Sequence, residues 1–133
     1  KKEENKYILE NDIEEIEFAS TDEKYLTYLN RIIDENLQDT DFSVGSLSKI
    51  LKLDRFQLYR KIQSITGMSP SKYITKIRLS KALEMLKNKE ASMSEVAYDV
   101  GFSSPSYFTR CFKENFGVQP SKYNEIIKSR EKF

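Results

Sequence analysis

The sequence predicts an all-α fold: two helix-turn-helix subdomains joined by a long linker helix, about seven helices in all. Three observations predict it. Apolar residues recur at three- and four-residue spacing, the period of a helical face. Serine or aspartate caps and glycine stops punctuate those runs at short intervals. One stretch of the chain returns about fifty residues later.

The elements follow in order. Residues 1–19 read as an acidic linker from a region further upstream, although Leu9, Ile13 and Ile16 are spaced to bury one face. Ser20-Thr21-Asp22-Glu23 spells a capping box, so a first helix is expected from Ser20 with Leu26, Leu29, Ile33 and Leu37 along one side. Asp39, Thr40 and Asp41 break that pattern, and Ser43 can cap a short second helix that turns Val44, Leu47 and Leu51 inward. After a turn around Lys52 and Leu53, Asp54 and Gln57 form another capping box, opening a third helix with Leu58, Ile62 and Ile65 on one side and Gly67 as its left-handed stop.

Ser69-Pro70 places a cap before a proline whose missing amide hydrogen costs nothing at a helix start. The linker helix from there to about Asn88 carries Tyr73, Ile74, Ile77, Ala82 and Leu86, and spans about 28 Å at 1.5 Å per residue. Ser92-Met93-Ser94-Glu95 opens a fifth helix with Val96, Ala97 and Val100, stopped by Gly101. Ser104-Pro105 opens a sixth with Phe108, Phe112 and Phe116 inward, ending at Gly117, and Pro120 opens a seventh through Tyr123 and Ile127.

The repeat sets the organisation. Gly67-Met68-Ser69-Pro70-Ser71-Lys72-Tyr73 returns as Gly117-Val118-Gln119-Pro120-Ser121-Lys122-Tyr123. Leu58, Arg60 and Ile62 map onto Phe108, Arg110 and Phe112 at the same offset, while Leu51 and Leu53 map onto Val100 and Phe102 at forty-nine, so the second turn is one residue longer. Two copies are too few for a solenoid and make a duplicated supersecondary motif. The first unit covers about 43–67, the linker about 70–88 and the second about 92–117, within a domain of 20–133.

Composition removes most chemistry. With no histidine among 133 residues, imidazole zinc sites, the Ser-His-Asp triad and the Cys-His pair are absent. Cys111 is the only cysteine, which leaves no disulfide framework, fits a reducing compartment and reads as a small buried hydrophobe. The four glycines form no phosphate-cradling loop, and scattered surface carboxylates are all that an enzyme could draw on. No catalytic residue, cofactor or metal is therefore expected. No apolar run approaches the roughly 18 residues of a membrane span, and the opening KKEENKYILENDIEEIE is not a signal peptide. A start on Lys1 rather than Met points to a piece of a longer protein.

The net charge of +1 conceals two opposite regions. Residues 1–42 hold five Lys or Arg against thirteen Asp or Glu, a net of −8; residues 43–133 hold seventeen against eight, a net of +9. The basic portion suits a polyanion, and the acidic portion is either a solvated linker or a segment that competes for the basic surface. The helix-turn-helix units supply a reason for such a partner, because their second helices can lie in a DNA major groove. The third helix would present Arg55, Phe56, Tyr59, Arg60 and Lys61 outward; the sixth, Pro105, Ser106, Tyr107, Thr109, Arg110 and Lys113. Arginine can pair with both guanine acceptors and an aromatic ring can press on a thymine methyl. Lys61, Ser104, Tyr107 and Lys113 suit phosphates. Tyr59 and Tyr107 could equally cover an apolar edge. Lys122, Lys128, Arg130 and Lys132 form a basic tail.

Residues 43–123 resemble the DNA-binding domain of the AraC/XylS family of bacterial transcription regulators. The most diagnostic stretch runs from Ser94-Glu95-Val96-Ala97-Tyr98-Asp99-Val100-Gly101-Phe102 through Ser104-Pro105-Ser106-Tyr107-Phe108-Thr109-Arg110-Cys111-Phe112-Lys113, then Phe116 to Tyr123. The resemblance implies a domain that engages two successive major grooves of double-stranded DNA. Its base-contacting positions fall on Phe56, Tyr59 and Arg60, and on Pro105, Ser106, Thr109 and Arg110. Pro105 has no side-chain donor, and Lys52 stands where the family usually has glycine.

Asp22-Glu23-Lys24-Tyr25-Leu26, Ile32-Ile33-Asp34-Glu35-Asn36-Leu37 and Leu58-Tyr59-Arg60-Lys61 look like the C-terminal output module of Bacteroides-type hybrid two-component regulators of polysaccharide-use genes. A free-standing sugar-responsive activator fits as an alternative. The implied partners are DNA, upstream receiver or sensor domains, and RNA polymerase. The implied place is the cytoplasm, with the full-length protein anchored in the inner membrane if it carries a kinase. From a different class, a helical protein-interaction module would dock the basic faces on an acidic protein.

Overall fold

The computed structural model describes residues 10–88 and 92–131, with side chains at 21–88 and 92–130. Among them are seven helices and no strand: α1 (Glu10–Glu35), α2 (Val44–Leu51), α3 (Arg55–Thr66), α4 (Pro70–Asn88), α5 (Met93–Asp99), α6 (Pro105–Phe116) and α7 (Pro120–Glu131). The chain divides after Ile32 into two compact units.

The first unit holds most of α1, and it corrects the reading of Ser20. The helix begins at Glu10, so Ser20 lies inside it rather than at its start. No glycine or proline interrupts Glu10–Glu35, and Glu, Ala and Leu are good helix formers, so a cap-like tetrapeptide in mid-run has nothing to cap. Leu29 and Ile32 are buried, while Leu26 is half-buried. Leu9 lies outside the described residues.

The second unit, Ile33–Phe133, contains both helix-turn-helix motifs. Its helix starts follow the caps. Ser43 Oγ accepts from the Ser46 amide and Ser46 Oγ accepts in return from the Ser43 amide, a reciprocal box in which serine replaces the usual Glu or Gln. Asp54 and Gln57 exchange the same pair of bonds at 2.8 and 3.1 Å. Ser92 Oγ accepts from the Glu95 amide and Ser104 Oγ from the Tyr107 amide, both at 3.2 Å. Gly67 and Gly117 close α3 and α6 at φ of 75° and 79°. Helix α5 stops one residue before the expected glycine, with Val100 as its C-cap and Gly101 left-handed after it.

The core runs through Leu47, Leu58, Ile62, Ile74, Leu79, Ala82, Leu86, Val96, Ala97, Phe108 and Phe112, all 4% exposed or less. Val44, Leu51, Ile65, Tyr73, Ile77, Tyr123 and Ile127 are half-buried, at the edge of that core. Phe116 was expected in the core but is 39% exposed, because it occupies the last turn of α6 and covers Phe112 edge-on at 4.7 Å. Around the second motif the core is aromatic: Phe102 meets Phe108 at 5.2 Å, and Phe108 meets Phe112 at 5.7 Å. Tyr123 of α7 reaches Phe112 at 5.8 Å. Such pairs add about 0.5–1.5 kcal/mol each beyond their burial.

Candidate nucleic-acid interface

Helix α3 is held by what it buries. Leu58 and Ile62 are fully buried, and one helical stripe away Phe56 is 70% exposed and Tyr59 49% exposed. Arg60 is exposed and its guanidinium lies 5.7 Å from the Phe56 ring centroid, a distance at which the ring face attracts the cation. Leaving a phenylalanine so uncovered costs water-ordering free energy unless something else covers it. Arg55 is exposed too, but its Nη2 lies against α2: a β-carbon on Gly45 would stand 3.3 Å from it. Arg55 therefore stands at the start of α3 beside α2, one helical turn before Tyr59. Lys61 is half-buried and matches the buried Cys111 of the second copy, which places it on a flank as well.

Helix α6 repeats the arrangement. Phe108, Cys111 and Phe112 are buried, Ser106, Arg110 and Lys113 are exposed, and Pro105 and Thr109 are half-buried. Arg110 lies 5.2 Å from the Tyr107 ring, so each of the equivalent residues Arg60 and Arg110 rests on an aromatic neighbour from its own helix. The stacking limits the rotamers of a long side chain and presents its fork outward. Ser104 uses its oxygen as the N-cap, leaving only its hydroxyl hydrogen for a phosphate.

Tyr107 is 42% exposed. Its ring packs edge-on against Phe102 at 5.7 Å and its hydroxyl hydrogen bonds to Cys111. That bond and partial burial hold the phenol above its ordinary pKa, with Arg110 pulling the other way. Tyr107 also borders a cleft of about 690 Å³ together with Lys72, Leu79, Cys111 and Glu114.

One residue of the linker helix makes contacts that its local pattern does not announce. Arg78 of α4 sits on the buried stripe formed by Ile74 and Ala82, and its Nη2 donates to the carbonyls of Asp39 at 3.2 Å and Phe42 at 3.1 Å. Burial lowers the pKa of its guanidinium, and Asp39 and then Tyr107 raise it. An arginine at the i+4 position between two buried apolar residues was the available signal, since a cation drawn partly out of water must find acceptors.

Two short helix-turn-helix units on a shared 19-residue helix, each displaying an arginine and its aromatic shelf, define a double helix-turn-helix domain. Residues 47–126 match the helix-turn-helix domain family. The chain belongs to that family, in its AraC/XylS-type form. It is 36% identical over 82% of its length to histidine kinase P4 of Formosa agariphila, covering 8% of that protein. It spans less than half the length of the curated relatives it matches.

Among solved structures, it resembles the C-terminal domain of AraT, a response regulator from Geobacillus stearothermophilus. That match has 30% identity and a TM-score of 0.70 over 75% of this chain and 83% of that one. It also resembles the DNA-binding domain of AdpA, a global transcriptional factor, solved in complex with a target DNA. There the identity is 27% and the TM-score 0.74, over 79% of this chain and 94% of that one. No helix among the described residues is long and apolar enough to cross a membrane.

Proposed function

We propose that this chain is the double-stranded DNA-binding output domain of a transcription regulator, with α3 and α6 entering two successive major grooves. The observation that carries the reading is the duplicated display: Arg60 and Arg110 occupy the same position of the repeat, each held on an aromatic ring and exposed. In this reading each arginine donates to guanine, while Phe56, Tyr59, Ser106 and Thr109 make apolar or hydroxyl contacts to neighbouring bases. Pro105 contributes shape alone. Arg55, beside the start of α2, and Lys113 neutralise phosphates; Lys61 reaches a phosphate only from the flank. Helix α4, about 28 Å long, fits the roughly 34 Å between successive grooves on one DNA face.

The likeness to a histidine kinase and to a response regulator's C-terminal domain favours a two-component context, in which upstream receiver or sensor domains govern this one. A free-standing regulator is the second reading, and RNA polymerase is the further partner an activator would meet. The domain itself is a binder and not an enzyme. The test is fluorescence anisotropy of the chain with random-sequence duplex DNA across a salt series. Affinity should fall steeply as salt rises, because each neutralised phosphate releases a counterion. Absence of binding at low salt would overturn the proposal and favour a protein-interaction module.

A further inference from the structure

Three pieces of the second unit meet at one side chain. Arg78 Nη2 on the linker helix donates to the carbonyls of Asp39 and Phe42. Phe42 is buried and immediately precedes Ser43, the N-cap of α2, so these bonds fix where the first motif begins. On its other side the guanidinium lies under the turn of the second motif: a β-carbon on Gly101 would stand 2.9 Å from Arg78 Nε, and 2.0 Å from the Leu37 carbonyl oxygen. That Nε is buried without a hydrogen-bond partner, as expected where a backbone turn rather than water covers it. Gly101 is itself buried, at φ of 93°.

We infer that Arg78, seated under Gly101 and bonded to the segment that opens the first motif, is a positioning residue that sets the angle between the two helix-turn-helix units. The inference rests on the proposed two-groove reading and gives it a mechanism. Two binding modules on a rigid connection gain an effective concentration for the second contact, and they lose it when their relative orientation spreads. Packing of α4 alone does not supply this constraint, because α4 is a single helix touching each motif, whereas Arg78 ties the loop before one motif to the turn of the other.

Two measurements test it on the full chain. Spin labels at Gln63 and Lys113, equivalent positions of α3 and α6, are introduced in a Cys111→Ala background, and their distance distribution is read by pulsed electron paramagnetic resonance without DNA. Arg78→Lys, which keeps the stem and charge but loses the guanidinium fork, should broaden that distribution while leaving helical circular dichroism intact. A distribution as narrow as that of the unchanged Arg78 chain would overturn the inference.

In the second measurement, Arg78→Lys is compared on a selected operator and on duplexes with either half-site scrambled. Binding should weaken roughly ten-fold on the two-half-site duplex and change by less than about two-fold on the single ones. Equal loss on all three would make Arg78 a stability residue only and refute a positioning role. If the parent chain binds no selected duplex, the DNA-binding reading fails, and the distance distribution still decides the role of Arg78.

Discussion

Lys52 and Gly101 stand at the same place in two copies of one motif, and both are left-handed, at φ of 56° and 93°. The turns around them close alike: Leu53 donates to the Ser48 carbonyl at 3.1 Å, and Phe102 to the Ala97 carbonyl at 2.9 Å. Their surroundings differ. Lys52 is exposed, and the Ser48 hydroxyl donates to the Leu53 carbonyl as an added tie. Gly101 is buried against the Leu37 carbonyl and Arg78. Backbone conformation alone therefore does not demand glycine here, since lysine adopts it at the cost of roughly 1 kcal/mol in the exposed turn. In the second turn the wider φ and the lack of space both demand it. The two cores diverge in the same sense: α3 rests on aliphatic Leu58 and Ile62, whereas α6 rests on Phe108 and Phe112 within a connected set of rings.

The largest expected effect separates those cores. Phe112 contacts Phe108, Phe116 and Tyr123, so Phe112→Ala should cost about 3–5 kcal/mol in urea unfolding, more than Ile62→Ala at the equivalent position. Equal losses would mean that the ring network adds nothing. Next comes the turn: Gly101→Ala should cost about 2–4 kcal/mol, because the new methyl carbon meets a carbonyl oxygen that cannot move without disturbing the loop before α2. A neutral result would remove the steric half of the comparison.

In DNA binding, Arg60→Ala and Arg110→Ala should each lose about 1–3 kcal/mol on a selected operator. Lys52→Gly should stabilise by about 0.5–1 kcal/mol, seen as a higher urea midpoint, and destabilisation would show that the lysine side chain makes a contribution of its own. Smallest in effect, Lys113→Ala should lower the salt slope by about one unit, whereas half-buried Lys61 should lower it less.

Much of the second unit was legible because its signals are local. Caps at Ser43, Asp54, Ser92 and Ser104 and stops at Gly67 and Gly117 act within one helical turn, and the fifty-residue repeat locates both motifs. Ser46 escaped because serine is an unusual third member of a capping box. Ser20 misled for the converse reason: its local pattern was right, but α1 already runs through it. The contacts of Arg78 join residues 36 and 39 positions apart, which no local window can reveal. The site was readable as an outward stripe at helical spacing. The approach of Arg55 to Gly45 joins two helices and shows in no single helical pattern, whereas the half-burial of Lys61 and the meeting of Tyr107 with Cys111 lie within α3 and α6 themselves.

The most direct test is to select operators from a random duplex pool with the chain itself and with its Arg60→Ala and Arg110→Ala variants. Two blocks of base preference should emerge about 10 base pairs apart, centre to centre. Arg60→Ala should flatten a position in one block only, and Arg110→Ala a position in the other. A single block, or two variants that weaken every position evenly, would contradict the account of two equivalent arginines reading two grooves.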